Sequence, residues 1–166
     1  MKLFGVVGWK NTGKTGLTER LVEEFVARGL RVSTIKHAHH NFDVDQAGTD
    51  SARHRKAGAG QVLLASSHRW ALMSELRDGA EPPLAALVQK LEPCDLVLVE
   101  GYKHENHAKI ETHRVSIGQP LIASGNPTVR AVASDVAGDL SRRFDRPVFD
   151  LDDTKEIADF IWSTRV

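Results

Sequence analysis

A glycine-rich segment after the first apolar run holds the residues best suited to chemistry. Residues 8–15 read Gly-Trp-Lys-Asn-Thr-Gly-Lys-Thr and fit the pattern G-x-x-x-x-G-K-[ST]. In this pattern the backbone N–H groups surround a polyphosphate, the lysine reaches the β- and γ-phosphates, and the last hydroxyl binds Mg²⁺. The N-terminus of the next helix adds its positive dipole end to the same anion. We therefore predict a nucleotide site with Thr15 as a metal ligand and these contacts: Gly8, Asn11, Thr12, Gly13, Lys14, Thr15 and Gly16.

A carboxylate at the end of a second apolar run is the next candidate. Residues 96–99 read Leu-Val-Leu-Val and are followed by Glu100 and Gly101. Ligands of parallel sheets gather at the carboxyl ends of the strands, so we expect Glu100 to lie near the phosphates. There it can hold Mg²⁺ through water or orient an attacking water. We predict Glu100 as a catalytic and metal-site residue; the alternative is a charged residue that merely ends a strand.

Polar residues after the second predicted strand allow several interpretations. Residues 36–40 read Lys-His-Ala-His-His, which fits a metal cluster, a phosphate-contacting cluster or a solvated loop. The only thiol, Cys94, is next to a predicted buried strand, which argues against a structural zinc site that includes cysteine. Among the nearby carboxylates we place Asp45 in the Mg²⁺ shell. The turn at residues 53–55, Arg-His-Arg, is either a solvated face or an anion-binding surface.

Recognition of the base has a weaker sequence signal. A guanine needs a carboxylate that accepts from its N1 and N2 donors, and the Asn-Lys-x-Asp string of many GTPases is absent. Asn126 and Asp135 each follow a short predicted strand, so both are candidates by position.

Periodicity predicts an α/β fold in one domain, residues 1–166. Apolar runs predict strands at residues 2–8, 30–35, 95–100, 110–117, 121–124, 129–134 and 148–151. Helical spacing or helix-start signals predict helices after residue 15, at 49–57, at 82–91, and from residue 152 or 153 onwards. Strands that alternate with helices imply a doubly wound, mostly parallel sheet in three layers, as in nucleotide-binding proteins with this phosphate loop.

A β-hairpin is predicted in addition to this sheet. Residues 61–66 and 69–76 are β-like runs joined by Ser67 and His68. The apolar face of this hairpin is too large to remain exposed to solvent in a small domain, so we predict that it forms a homodimer contact. If the dimer has two-fold symmetry, both subunits contribute the same surface to this contact.

Composition narrows the class of protein. The 166 residues carry 22 basic and 22 acidic side chains, so bulk charge gives no argument for a nucleic acid or an anionic membrane as a partner. A single cysteine excludes an intrachain disulfide, and no stretch of about 18 apolar residues could span a bilayer. We predict a soluble cytoplasmic protein.

Four strings lie at residues 8–15, 36–45, 48–59 and 95–103. Together they resemble one family, the MobB proteins, which are molybdopterin-guanine dinucleotide biosynthesis adaptors, and the likeness covers most of the chain. The resemblance implies a homodimeric, GTP- and Mg²⁺-binding weak GTPase. Such proteins assist the nucleotidyltransferase that joins a guanosine phosphate to the molybdenum cofactor. The resemblance leaves open whether molybdopterin itself binds to this chain.

The resemblance also assigns some roles to residues. The family's phosphate-loop roles carry over to Gly13, Lys14 and Thr15, and its Walker-B-like carboxylate to Glu100. The histidines His37, His39 and His40 and the Arg-His-Arg turn are family landmarks without an assigned role.

Two other functions remain open. One is a P-loop small-molecule kinase, although the basic turn at 49–56 is short for a lid over the phosphates. The other is a metal-delivery GTPase, for which Cys94 is poorly placed.

Overall fold

The computed structural model describes residues 1–38, 43–77 and 79–165. These residues divide into two compact units, Met1–His37 with Leu84–Val166, and Ala38–Pro83. The large sheet and the phosphate loop belong to the first unit, and the predicted hairpin belongs to the second.

A six-stranded, wholly parallel sheet forms the centre of the first unit. In chain order its strands are β1 (Lys2–Gly8), β2 (Val32–Lys36), β5 (Leu96–Glu100), β6 (Lys109–His113), β7 (Val129–Ser134) and β8 (Val148–Asp150). The spatial order is β2-β5-β1-β6-β7-β8. The buried residues of β1 and β5 form continuous apolar runs, as central parallel strands require, and this confirms the predicted sheet.

Helices cover both faces of this sheet, which gives the predicted three layers. On one face α1 (Lys14–Ala27) and α5 (Thr154–Ser163) bury Leu17, Leu21, Phe25 and Ile157 against the sheet. Full burial of each such side chain contributes roughly 1.5–3 kcal/mol, so this contact fixes α1 firmly behind the phosphate loop. On the other face lie α3 (Leu84–Val88) and α4 (Ala137–Leu140), with two further apolar clusters.

One predicted strand is wrong, and another is too long. No strand forms at residues 121–124, where Ile122–Ser124 is a 3₁₀ helix, and the strand predicted at residues 110–117 ends at His113. In the first case the buried Glu111 carboxylate accepts hydrogen bonds from the backbone N–H groups of Ile122 (2.9 Å) and Ala123 (2.8 Å). Those bonds hold the segment as a capped turn, because N–H groups bound to a side chain cannot also join a sheet ladder.

The second unit contains α2 (Asp50–Lys56) and an antiparallel hairpin of β3 (Gln61–Ala65) and β4 (Trp70–Ser74). This hairpin confirms the prediction. Cross-strand pairing places Leu63 opposite Leu72 and Ala65 opposite Trp70 on one face. Within residues 1–38, 43–77 and 79–165, no helix is long and apolar enough to cross a membrane.

Candidate nucleotide-binding site

The phosphate loop joins the carboxyl end of β1 to the N-terminus of α1. Gly13 is the N-cap of α1 and has φ 98° and ψ 10°, a left-handed conformation that glycine adopts at little cost. Because glycine has no side-chain oxygen to cap the helix, the first N–H groups of α1 remain available to an anion. The loop therefore has the backbone geometry that the motif predicts.

Two threonines brace this loop against the sheet. Thr12 is 1% exposed, and its hydroxyl lies 2.8 Å from the Thr112 hydroxyl and donates to the Trp9 carbonyl at 2.9 Å. At Gly8 a Cβ would lie 2.5 Å from both threonine hydroxyls, so only glycine fits there. The Thr12 side chain thus joins the loop to β6. Asn11, the residue before it, is exposed and has φ 65°.

Trp9 fastens the outer side of the loop. Its indole N–H donates to the Pro120 carbonyl at 2.8 Å, and the Lys103 ammonium lies 4.2 Å from the centre of its ring. A cation over an indole ring is attracted by the negative face of the ring. Trp9 therefore ties the loop to two neighbouring segments of the first unit.

Lys14 folds back over the loop. Its ammonium donates to the Trp9 carbonyl at 2.7 Å. Burial lowers the pKa of Lys14, and the Glu100 carboxylate opposes that shift. Lys14 can exchange this bond to a loop carbonyl for a stronger, charge-assisted bond to a phosphate.

The two side chains predicted to share a metal ion lie together. The Thr15 hydroxyl donates to a Glu100 carboxylate oxygen at 3.0 Å, and Glu100 is only 8% exposed at the end of β5. The ammonium of Lys36 lies 3.3 Å from the same carboxylate oxygen and 3.4 Å from the Thr15 hydroxyl. A hydroxyl and a carboxylate are ligands that Mg²⁺ accepts, so this pair fits the metal.

Sequence reasoning missed Arg114, which lies on the other side of the loop. Two of its guanidinium nitrogens lie 3.6 and 3.7 Å from the position that a Cβ on Gly13 would take. The adjacent Val115 N–H donates to the Asp135 carboxylate at 3.0 Å, so Arg114 and Asp135 flank one edge of the site. The predicted strand at residues 110–117 included Arg114, whereas β6 ends at His113 and Arg114 belongs to the segment after it.

The loop after β8 forms another side of the site, and the sequence did not predict this either. Arg20 on α1 donates to the Leu151 carbonyl at 2.7 Å and to the Thr154 hydroxyl at 2.9 Å. The Leu151 side chain lies 3.4 Å from the position of a Gly13 Cβ. Arg20 therefore holds the β8–α5 loop beside the phosphate loop.

Asn126 does not lie where the sequence suggested. It precedes β7, near the amino ends of the strands, because the segment before it is a 3₁₀ helix rather than a strand. Its amide donates to the Lys103 carbonyl at 2.9 Å and accepts from the Thr128 N–H and hydroxyl. The amide is therefore used to join two loops, and we exclude Asn126 from the base site.

Asp45 lies in the second unit with its carboxylate already bonded. It accepts from the hydroxyls of Ser51 (2.7 Å) and Thr49 (2.9 Å) and lies 3.4 Å from the Arg55 guanidinium. The Ser51 hydrogen bond is the largest cause of its lowered pKa. These contacts give Asp45 a role inside its own unit, and we leave it out of the metal site proposed below.

The histidine-rich string is only partly visible. His37 stacks on Tyr102 with ring centres 4.5 Å apart, whereas His39 and His40 lie outside the described residues. In the described part of the chain, no group of three or more His, Cys, Asp or Glu residues could hold a metal ion. Arg53 and His54 lie on α2, and their neighbour Arg55 pairs with Asp43 and Glu75 at 2.8 Å.

A parallel sheet of this order, with a glycine-rich loop from its first strand and a facing carboxylate on the adjacent strand, defines a P-loop nucleotide-binding fold. The family model of MobB, "Molybdopterin guanine dinucleotide synthesis protein B", matches residues 3–135. The chain belongs to this family.

Characterised relatives and solved structures agree. The chain is 43% identical over 162 residues to the molybdopterin-guanine dinucleotide biosynthesis adapter protein of Escherichia coli strain K12, covering 96% of this chain and 90% of the relative. It is 42% identical over 161 residues to the protein of the same name from Haemophilus influenzae, covering 96% and 86%. The crystal structure of Bacillus subtilis MobB superposes with a TM-score of 0.76 at 26% identity, covering 98% of this chain and 97% of the other.

Proposed function

We propose that this chain is a cytoplasmic GTP-binding accessory protein with slow, Mg²⁺-dependent hydrolysis. It assists the attachment of a guanosine nucleotide to molybdopterin by a partner nucleotidyltransferase. The observation that carries the proposal is the N-terminus of α1, where glycine is the N-cap and the Lys14 ammonium folds over the loop. Family membership supplies the pathway, because the relatives are named for molybdopterin-guanine dinucleotide biosynthesis.

The residues of the loop suggest how the phosphates are held. The N–H groups at the start of α1 bind the phosphate oxygens, and Lys14 leaves the Trp9 carbonyl to contact the β- and γ-phosphates. Thr15 and Glu100 would hold Mg²⁺ through the hydroxyl and the carboxylate. When bound, the metal would supply positive charge that offsets the negative charge developing during phosphoryl transfer.

Asp135 is our candidate for guanine recognition. It follows β7 at the carboxyl edge of the sheet and is exposed. One of its carboxylate oxygens accepts from the Val115 N–H, and the other has no hydrogen bond among those described. That oxygen can accept hydrogen bonds from the N1 and N2 donors of guanine. Adenine, the base of ATP, lacks this pair of donors.

The name "adapter" borne by the relatives favours a binding role over a kinase. We further propose that the protein acts as a homodimer through the hairpin of the second unit.

The test is isothermal calorimetry with GTP and ATP in the presence of Mg²⁺. The parent chain should bind GTP more tightly than ATP, and Lys14→Ala should abolish GTP binding because it removes charge from the phosphates. Lys10→Ala is the matched control, since Lys10 is an exposed lysine of the same loop. Undiminished GTP binding by Lys14→Ala would refute the proposed site.

A further inference from the structure

A side-chain cation already lies at the position we assign to the metal. The Lys36 ammonium contacts the Glu100 carboxylate (3.3 Å) and the Thr15 hydroxyl (3.4 Å). These two groups are 3.0 Å apart and are the same two that fit Mg²⁺. Lys36 therefore occupies the position of a metal ion between its two protein ligands.

The backbone of the sheet sets this position. Lys36 and Glu100 are paired residues at the carboxyl ends of two neighbouring parallel strands. The His37 N–H then donates to the Glu100 carbonyl at 2.9 Å, which extends the ladder one step beyond the pair. Side chains of paired residues on one face of a sheet lie within reach of each other. The ammonium thus reaches Glu100 because of the strand register.

An exposed ion pair is usually worth little, but this one involves a nearly buried carboxylate. Glu100 is 8% exposed, whereas the Lys36 side chain is 60% exposed and can move into solvent. A charge that is withdrawn from water needs a partner, and Lys36 supplies it when no metal is present. Lys14 also interacts electrostatically with the Glu100 carboxylate and with the Lys36 ammonium.

Mg²⁺ and the ammonium cannot use the same two oxygens at once. Both are cations, and both need the Glu100 carboxylate as their counter-charge. The stem of Lys36 is flexible and exposed, so the lysine is the group that can leave.

We propose that Lys36 is a resident counter-cation of the metal position, which neutralises Glu100 when a nucleotide binds without metal and is displaced by Mg²⁺. This inference rests on the proposed nucleotide site. It gives Lys36 a role different from that of Lys14. Lys14 contacts the phosphates with or without Mg²⁺, whereas Lys36 neutralises Glu100 only when Mg²⁺ is absent.

The test is the affinity for a non-hydrolysable GTP analogue, measured by calorimetry in EDTA and again in millimolar Mg²⁺. Lys36→Met should weaken binding about tenfold in EDTA, because the bare Glu100 carboxylate then faces the phosphates, and by less than about threefold in Mg²⁺. The gain in affinity caused by Mg²⁺ should therefore be larger in Lys36→Met than in the parent chain. Lys155→Met, an exposed lysine on α5, should behave as the parent.

Two results would overturn the inference while leaving the nucleotide site intact. If Lys36→Met weakened binding equally in EDTA and in Mg²⁺, Lys36 would be an ordinary phosphate ligand. If Lys36→Met left the affinity unchanged in both, Lys36 would have no role in nucleotide binding. A second variant addresses the mechanism: on a Glu100→Gln background, Lys36→Met should no longer weaken binding in EDTA, because no charge remains to be neutralised. Failure of the parent chain to bind the analogue in either condition would instead refute the proposed function, and this inference with it.

Discussion

At the scale of single residues, the proposed site would bind phosphate and metal through two separate groups of side chains. Lys14 and the N-terminus of α1 lie on the phosphate side of the loop, whereas Thr15, Glu100 and Lys36 form a separate polar group at the ends of β2 and β5. Substitutions in the two groups should therefore have different effects. Loss of Lys14 should remove affinity for the nucleotide, whereas loss of Glu100 should slow its hydrolysis.

Glu100→Gln tests this separation. We expect GTP affinity in Mg²⁺ to stay within roughly tenfold of the parent, about 1.4 kcal/mol, because the amide still accepts from Thr15. Hydrolysis should slow, because a neutral amide is a poorer ligand for the metal's water shell and a poorer base. Single-turnover release of phosphate is the measurement, with Asp95→Asn at the other end of β5 as the control. Hydrolysis at the parent rate would show that Glu100 has no part in the chemistry.

At the scale of elements, the segment between β5 and β6 packs unusually closely on β1. A Cβ on Gly5 would lie 2.6 Å from a ring nitrogen of His107 and 2.9 Å from the Lys109 side chain, so glycine alone allows this approach. Among the described residues, neither ring nitrogen of His107 has a hydrogen-bond partner. Burial, aided by the nearby Lys109 charge, lowers the pKa of His107 from 6.5 to about 4.

This pKa predicts how stability depends on pH. The unfolded chain takes up the His107 proton near pH 6.5, whereas the folded chain takes it up only near pH 4. The contribution of His107 to the free energy of unfolding is therefore full above pH 6.5 and is lost as the pH falls towards 4. Urea midpoints measured at several pH values should fall less steeply for His107→Gln than for the parent.

The control for that series is His68→Gln, an exposed histidine in the turn of the hairpin. Its midpoints should follow those of the parent at every pH. A His107→Gln curve parallel to the parent would mean that folding does not lower the pKa of this ring.

At the scale of the whole molecule, the hairpin has an exposed apolar face. Leu63, Trp70 and Leu72 are 60%, 61% and 46% exposed, and cross-strand pairing places all three on one face. Isolated exposed apolar residues are ordinary, but a contiguous face of this kind marks an interaction site. A two-fold axis would set the same face of a second copy against it.

Leu72→Glu should therefore convert a dimer into a monomer. Because Leu72 is already half exposed, the substitution removes little of the folded core, and the buried charge in an apolar interface would oppose association. Light scattering at micromolar concentration gives the mass. Val26→Glu replaces another exposed apolar residue, on α1, and should keep the parent mass. A monomeric mass for the parent chain would contradict the dimer proposal.

The sequence alone determined the features that depend on neighbouring residues. The phosphate loop follows from its glycines and lysine, because backbone freedom at Gly13 and the start of α1 are local properties. The parallel sheet follows from apolar runs that alternate with helices. The hairpin follows from two β-like runs joined by a short turn.

The tertiary structure decided what lies beside that loop. The contact of Lys36 with Glu100, the position of Arg114 next to Gly13, and the β8–α5 loop held by Arg20 all depend on strand order. Strand order is fixed by how two helical layers bury the whole sheet, and no short stretch of sequence contains that information. For the same reason Asn126 was misplaced, since the Glu111 carboxylate that turns residues 122–124 into a 3₁₀ helix comes from a different strand.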